Sequence, residues 1–461
     1  MTKNYRIEND GLGAKKVKND KLWGAQTQRS FENFKIGEEK MPNEVIIALG
    51  YQKKAAAMTN LQLKKISKEI AEKIIKSCDE IISLKLIDHF PLSVWQTGSG
   101  TQTNMNANEV ISNRAIQMLR GKLGSKTPIH PNDHINMSQS SNDVFPTVMH
   151  IACVFGVKNK LIPALEELRE MLEQKEKQFR KLIKIGRTHA QDATPISLGQ
   201  EFSGYREQIK KNKDRLIIAL NEIHYIAQGG TAVGTGINAP KNFDKLFCKN
   251  LSKITKTNFY PAKNKFESIS SHDSLVNLSA SLNNIAVSLL KIGNDLRMLS
   301  SGPRSGLCEI ILPENEPGSS IMPGKNNPTQ IEALTMVCAK VIGNHTSTTI
   351  AGSQGHFQLN AFKPVIIYNL IQSINLLSSS IASFNHKCLK KLKANKKIIN
   401  NNLKNSLMLI TILTPTIGYD NATKIVKKAY KENTSLKEAA NKLKLINSKD
   451  FDKLVDPSKM I

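Results

Sequence analysis

Leu275, Leu278, Leu282, Ile285, Leu289, Ile292, Leu296 and Leu299 recur at spacings that alternate between three and four. That rhythm holds one apolar stripe on one face of an α-helix for about seven turns, and it predicts a left-handed helix–helix seam. A strand, with its period of two, would scatter the same residues over both faces. The stripe therefore reads as core. Further long helical patterns run over 201–228, 329–351 and 361–384. The expected fold class is all-α, a three-domain subunit with a central bundle of long helices. One small domain cannot cover helices of this length, so bundling between subunits is the natural way to bury them.

The chain divides, on these patterns, into a mainly helical N-terminal domain (1–138), the central bundle (139–390) and a small helical C-terminal domain (391–461). Apolar residues at helical spacing run from Val45 to Leu86 and over Asn108–Leu119. Another run, from Val144 to about Ile183, reads as one long helix. The C-terminal domain opens on a lysine- and asparagine-rich stretch, Lys390–Lys404.

The net charge of +26 raises the question of a polyanionic partner. The lysines are scattered, no arginine-rich block occurs, and only 5% of residues are aromatic, so stacking platforms for bases are scarce. We expect no nucleic-acid partner. A positive field would instead help to gather a small dianion. No unbroken apolar run approaches the ~18 residues a span requires, so no membrane partner is expected. The N-terminus lacks an apolar leader segment, and the six cysteines are widely separated with no CxxC. They read as free thiols in a reducing compartment, the cytoplasm.

Chemistry concentrates in a few short stretches. Gly318 to Gln330 (GSSIMPGKNNPTQ) places two hydroxyls, a lysine and two amides between glycines and prolines, a loop suited to an anion. It is not a phosphate-binding P-loop: five residues separate its glycines, and Asn326 stands where that motif needs Ser or Thr. Trp95 to Asn106 (WQTGSGTQTNMN) is a glycine and hydroxyl loop feeding a helix N-terminus, an anion-binding geometry. His130-Pro131-Asn132-Asp133 reads as a loop. Ser138 to Asp143 (SQSSND) stacks more hydroxyls and amides than N-capping alone needs. Gly186-Arg187-Thr188-His189 ends a helical stretch in a polar turn, and Gly229 to Gly236 (GGTAVGTG) is a flexible loop with no dinucleotide fingerprint. Only His130 and His134 have HxxxH spacing, and no Glu follows His130, so no metal site and no cofactor are expected.

Taken together, KLWGAQTQRS at 21–30, WQTGSGTQTNMN at 95–106, HPND and SQSSNDVFPT at 130–147, GRTH at 186–189, GGTAVGTG at 229–236, NKFES at 264–268 and PENEPGSSIMPGK at 313–325 resemble the fumarase/aspartase superfamily. Within it the chain is similar to class II fumarases, the metal-free kind. Gly324, Thr329, Gln330, His130 and His189 favour the fumarase version over aspartase, which carries Gln after GRT. The resemblance implies a homotetramer whose active sites are each assembled from three subunits, acting on a small dicarboxylate, fumarate or L-malate.

It further implies that Ser319 is the base and that His189 lies on the acid side, with Glu332 orienting the imidazole. Ser99, Gly100, Thr101, Ser140, Ser141, Asn142, Thr188, Ser320, Lys325 and Asn327 would bind the two carboxylates. His130, Pro131, Asn132 and Asp133 would form a secondary dicarboxylate site. There the sequence departs from the family: Thr127 stands where arginine is common, with Lys126 beside it. Asn326 replaces the family's Val. The competing readings are an aspartate ammonia-lyase and a non-catalytic basic helical scaffold.

Overall fold

A computed structural model describes residues 4–461. The chain begins with a β-hairpin, β1 (Tyr5–Asp10) and β2 (Gly13–Lys18), which helical periodicity did not foresee. Then come α1 (Ala25–Asn33), α2 (Asn43–Gln62), α3 (Lys68–Ile82), α4 (Thr101–Met118), α5 (Ser141–Gly156) and α6 (Ile162–Phe179). A second hairpin, β3 (Ile183–Thr188) and β4 (Gln191–Ser197), leads into α7 (Leu198–Ile223). After it lie α8 (Phe243–Thr255), α9 (Lys265–Ser270), α10 (Asp273–Leu299), α11 (Thr329–Gly352), α12 (Lys363–Lys387) and α13 (Lys396–Asn405). Short helical segments complete the C-terminus. The class is all-α, with a few short strands.

The helix read from Val144 to about Ile183 differs from expectation in two ways. It begins at Ser141 and stops at Phe179, and a π-helical turn over Val157–Leu161 separates α5 from α6. That wide turn ends two residues before Pro163, whose ring would clash with the carbonyl of Asn159, four residues back, in a regular α-helix. Past Phe179 the alternation of Ile183 and Ile185 belongs to β3. The His130 stretch is likewise not open loop: Pro131–Ile135 forms one π-helical turn.

The long helices bear out the periodic reading. All eight stripe residues of α10 are buried, none more than 5% exposed. In α7 the same rhythm runs through Leu198, Phe202, Tyr205, Ile209, Asn212 and Leu216, and in α12 through Ile367, Leu370, Ile374, Leu377, Ile381 and Phe384. Burying each such aliphatic side chain contributes about 1.5–3 kcal/mol. Asn212 is the polar exception in its seam, and its amide donates to Ser288 Oγ at 2.7 Å.

Two compact units emerge from the packing. The first takes residues up to 163 together with 213–286 and 338–378; the second takes 164–212, 287–337 and 379–461. In the first, α2 packs on α3, α5 and α8, and α4 packs on α1 and α3. In the second, α13 lies against β3, and the C-terminal segments close over Leu409, Leu413, Ile425, Leu436 and Phe451. Although no unbroken apolar run of spanning length exists, Ser141–Phe179, Asp273–Leu299 and Lys363–Lys391 are long and apolar enough to cross a membrane by length and composition. Half or more of each apolar window is buried within the fold.

Candidate active site

Two helix N-termini converge in the first unit. Gly100, at φ 76°, caps α4 in the left-handed region, and a Cβ there would meet the Phe145 ring at 2.3 Å. Only glycine satisfies both demands. The turn sets Ser99 Oγ 2.7 Å from Thr101 Oγ1, and the Thr101 amide points to Ser99 Oγ at 3.3 Å. Ser140 caps α5 in a capping box with Asp143. Asn104 of α4 donates to Ser141 Oγ at 2.8 Å, so the two hydroxyl-rich turns are tied together. The free N–H groups and dipoles of two helix starts suit a carboxylate.

Beneath them lies a buried polar layer. The Asp143 carboxylate accepts the backbone N–H groups of Ser140, Gly229 and Thr231, each at 2.9 Å. The Asn142 amide donates to Ala232 O at 2.8 Å. The 229–232 segment is therefore bound to the Ser140 turn rather than being an independent loop. Burial raises the Asp143 carboxyl above its usual range, against those three donors and the charge of Lys53. Lys53, fully buried, donates to Asn136 Oδ1 and Gln139 Oε1 at 3.1 Å each. Glu109 does similar work at the start of α1, accepting from the N–H groups of Gly24, Gln26 and Thr27.

The π-turn at Pro131 folds back on His130. Its Nδ1 faces the Asn132 and Asp133 amides at 3.2 Å each and lies 3.3 Å from Asp133 Oδ2. His134 Nδ1 accepts from the His130 amide at 2.8 Å, while Lys126 is held on Asn9 O.

In the second unit, Thr188 closes β3 and His189-Ala190 form the two-residue tip of the hairpin, at φ 56° and 58°. Both side chains are exposed. Two positive φ values in succession define a turn that favours Asn-Gly or Gly-Gly, so the absence of those residues hid the hairpin from the sequence.

The Gly318 loop is the other element here. A Cβ on Gly318 would lie 1.9 Å from the Lys325 carbonyl, so only glycine lets the loop close on itself. The Asn327 amide donates to Gly318 O, an internal clamp that uses part of its hydrogen-bonding capacity. Ser319 Oγ accepts from the backbone N–H groups of Ile321 at 3.3 Å and Met322 at 3.0 Å. Ser319 and Lys325 line one open hollow of about 410 Å³, with Glu314 and Glu316 on its rim. Ser320 is exposed beside them, and Glu332 lies exposed in the first turn of α11.

Residues that the sequence reading passed over are mostly supports. Asp143 had a legible signal, the three-residue capping-box spacing from Ser140. Asn104, Arg187 and Glu309 had none, because their partners lie far along the chain.

Residues 13–343 of this helical fold, which carry the hydroxyl-rich helix starts and the serine–lysine loop, match the family described as "Lyase". Residues 409–461 match a second, "Fumarase C C-terminus". The chain is 57% identical over 459 residues, covering all of both chains, to a protein named fumarate hydratase class II from Rickettsia felis. It is 56% identical, over 99% of this chain and 93% of the other, to a mitochondrial fumarate hydratase from Rhizopus oryzae. The crystal structure of a class II fumarase from Schistosoma mansoni superposes with a TM-score of 0.97 at 44% identity, covering 99% of each chain. The chain belongs to the class II fumarate hydratase family.

Proposed function

We propose that this chain interconverts fumarate and L-malate without a cofactor, with Ser319 as base and His189 on the acid side. The observation that carries the reading is the pair of backbone N–H groups aimed at Ser319 Oγ in the hollow that Lys325 also lines. A serine hydroxyl is too weak a base at its ordinary pKa. An alkoxide becomes accessible when preorganised donors and a cation face it, each donor being worth ~3–4 kcal/mol.

In dehydration the Ser319 alkoxide takes a proton from C3 of L-malate. The C–H electron pair moves into the neighbouring carboxylate, giving an enediolate. Collapse of that intermediate forms the C2–C3 double bond and expels the C2 hydroxyl, which leaves as water with a proton from the His189 side. Ser99, Gly100, Thr101, Ser140, Ser141, Asn142, Thr188, Ser320, Lys325 and Asn327 hold the carboxylates, and Glu332 orients His189. The two linked helix N-termini support the first of these assignments. His130 to Asp133 form a secondary dicarboxylate site, weakened by Thr127.

The assembly we assign is a homotetramer with active sites shared between subunits. Ile218, Met298, Met336 and Ile350 on α7, α10 and α11 support it, each being more than half exposed in the isolated chain. The division by role that we assign is 1–138, 139–390 and 391–461, and the separate C-terminal family match, over 409–461, falls within the last of these. Six free cysteines, five of them buried, fit a reducing cytoplasm.

Ultraviolet absorbance of purified protein with L-malate, and L-aspartate in a parallel cuvette, tests the reading. Fumarate from malate alone supports it. Fumarate from aspartate alone reassigns the chain to ammonia release, and neither product from folded tetramer returns it to a scaffold.

A further inference from the structure

A buried charge cluster lies behind the hairpin that presents His189. Glu309 is fully buried, and its Oε1 accepts from Arg187 Nη2 at 2.6 Å. Its Oε2 lies 3.1 Å from the ammonium of Lys184, which is 1% exposed and also donates to Glu201 at 3.2 Å. Both cations belong to β3, where Arg187 immediately precedes Thr188 and His189. Glu309 itself is held through its backbone: its amide donates to Leu299 O at 2.8 Å and its carbonyl accepts from Asn395 at 2.8 Å. Burial pushes its carboxyl up, but the Arg187 hydrogen bond and the two positive charges outweigh that and keep it below its ordinary value.

The hairpin needs such an anchor. β3 and β4 lose register between Ile185 and Arg187, and two residues later His189 and Ala190 both occupy the left-handed region. Each non-glycine residue there costs of order 1–3 kcal/mol and persists only where its surroundings over-determine it. A bulge and a strained turn bracket Arg187, and the Glu309 ion pair is the fixed point between them.

We infer that Glu309, acting through Arg187, is a positioning residue that holds the strained hairpin tip so that His189 is presented for the proton transfer. The inference rests on the reaction proposed above. Without the anchor the turn relaxes and the imidazole drifts together with Thr188, while the carboxylate ligands on other elements survive.

Kinetics of L-malate dehydration across pH supply the test. Glu309→Gln leaves the buried Lys184 charge with Glu201 as its one remaining partner and can cost the fold, so the deciding variant is Arg187→Gln, whose side chain is partly exposed. We expect a folded protein of unchanged mass, with kcat down about 10²-fold for a displacement near 1 Å. KM should change far less than kcat, because Thr188 is the one proposed carboxylate ligand that moves with the tip, and the limb of the kcat–pH profile that reports the acid should shift. If Arg187→Gln does not fold, Arg187→Lys, which keeps the charge but shortens the reach, is judged by the same criteria. A folded variant with the kcat and pH profile of the wild type overturns the inference. Wild-type protein that makes no fumarate from malate overturns instead the reaction on which it rests.

Discussion

Ser319 carries the sharpest expectation of any single side chain. Ser319→Ala should keep fold and mass while kcat for malate falls about 10²–10⁴-fold, as for loss of a general base, with little change in KM. Steady-state rates on the purified variant decide it; wild-type turnover removes Ser319 as base. Asp143 is the structural counterpart. Asp143→Asn puts an N–H donor against at least one backbone N–H of Ser140, Gly229 or Thr231, leaving a buried donor unsatisfied at a cost of about 1–3 kcal/mol. A urea midpoint equal to wild type would argue that the site relaxes around the amide. For Lys53, burial lowers the ammonium to about 7 despite the attraction of Asp143. Its unfolded value is about 10.4, so between those values the native state binds fewer protons and stability rises with pH; below the folded value the penalty is complete. Urea midpoints should climb from pH 7 to 9. In Lys53→Met the climb should flatten, and an unchanged slope would exclude Lys53 as its source. The glycine- and hydroxyl-rich loops that hold the proposed reacting groups were legible in the sequence because their composition is local, while the roles of Ser319 and His189 came from the family resemblance. Their supports were not, since Asp143 to Gly229, or Arg187 to Glu309, is a contact that only folding makes.

Helices and hairpins were readable to different degrees. The α10 stripe was recognisable because 3.6-residue periodicity is written in consecutive side chains. Leu289→Ala, at a fully buried seam position, should cost about 2–5 kcal/mol in a calorimetric or urea measurement. A change under about 1 kcal/mol would mean that the seam repacks around the gap. The two hairpins escaped for a different reason. β1 and β2 are largely exposed, β2 being lysine-rich, and β3–β4 turns through His189-Ala190, which no propensity marks as a turn. Ala190→Gly should relieve the positive-φ strain and stabilise the protein by about 1 kcal/mol. A loss of stability on that substitution would show that the Ala190 methyl contributes more by contact than it costs in strain.

For the assembly, the exposed apolar residues of the long helices set the expectation. Ile218→Asp with Met336→Asp should shift the light-scattering mass below that of the proposed tetramer and abolish turnover with it. Active monomers would contradict shared sites. Complementation probes the same point: co-expressed Ser319→Ala and His189→Ala chains, each inactive alone, should recover part of the activity in mixed tetramers. No recovery in verified mixed tetramers would place both residues of one site in one subunit.

From its sequence alone this chain declares an all-α class, the helix seams and the glycine- and hydroxyl-rich loops. Each follows from side chains a few positions apart, where periodicity, glycine and hydroxyl chemistry act locally. Only the tertiary structure decided that Asp143 locks the Ser140 turn to the 229–232 segment and that Glu309 anchors the His189 hairpin. The reason is physical: a buried charge must find its partners wherever the packed chain brings them, and sequence distance does not enter that energy.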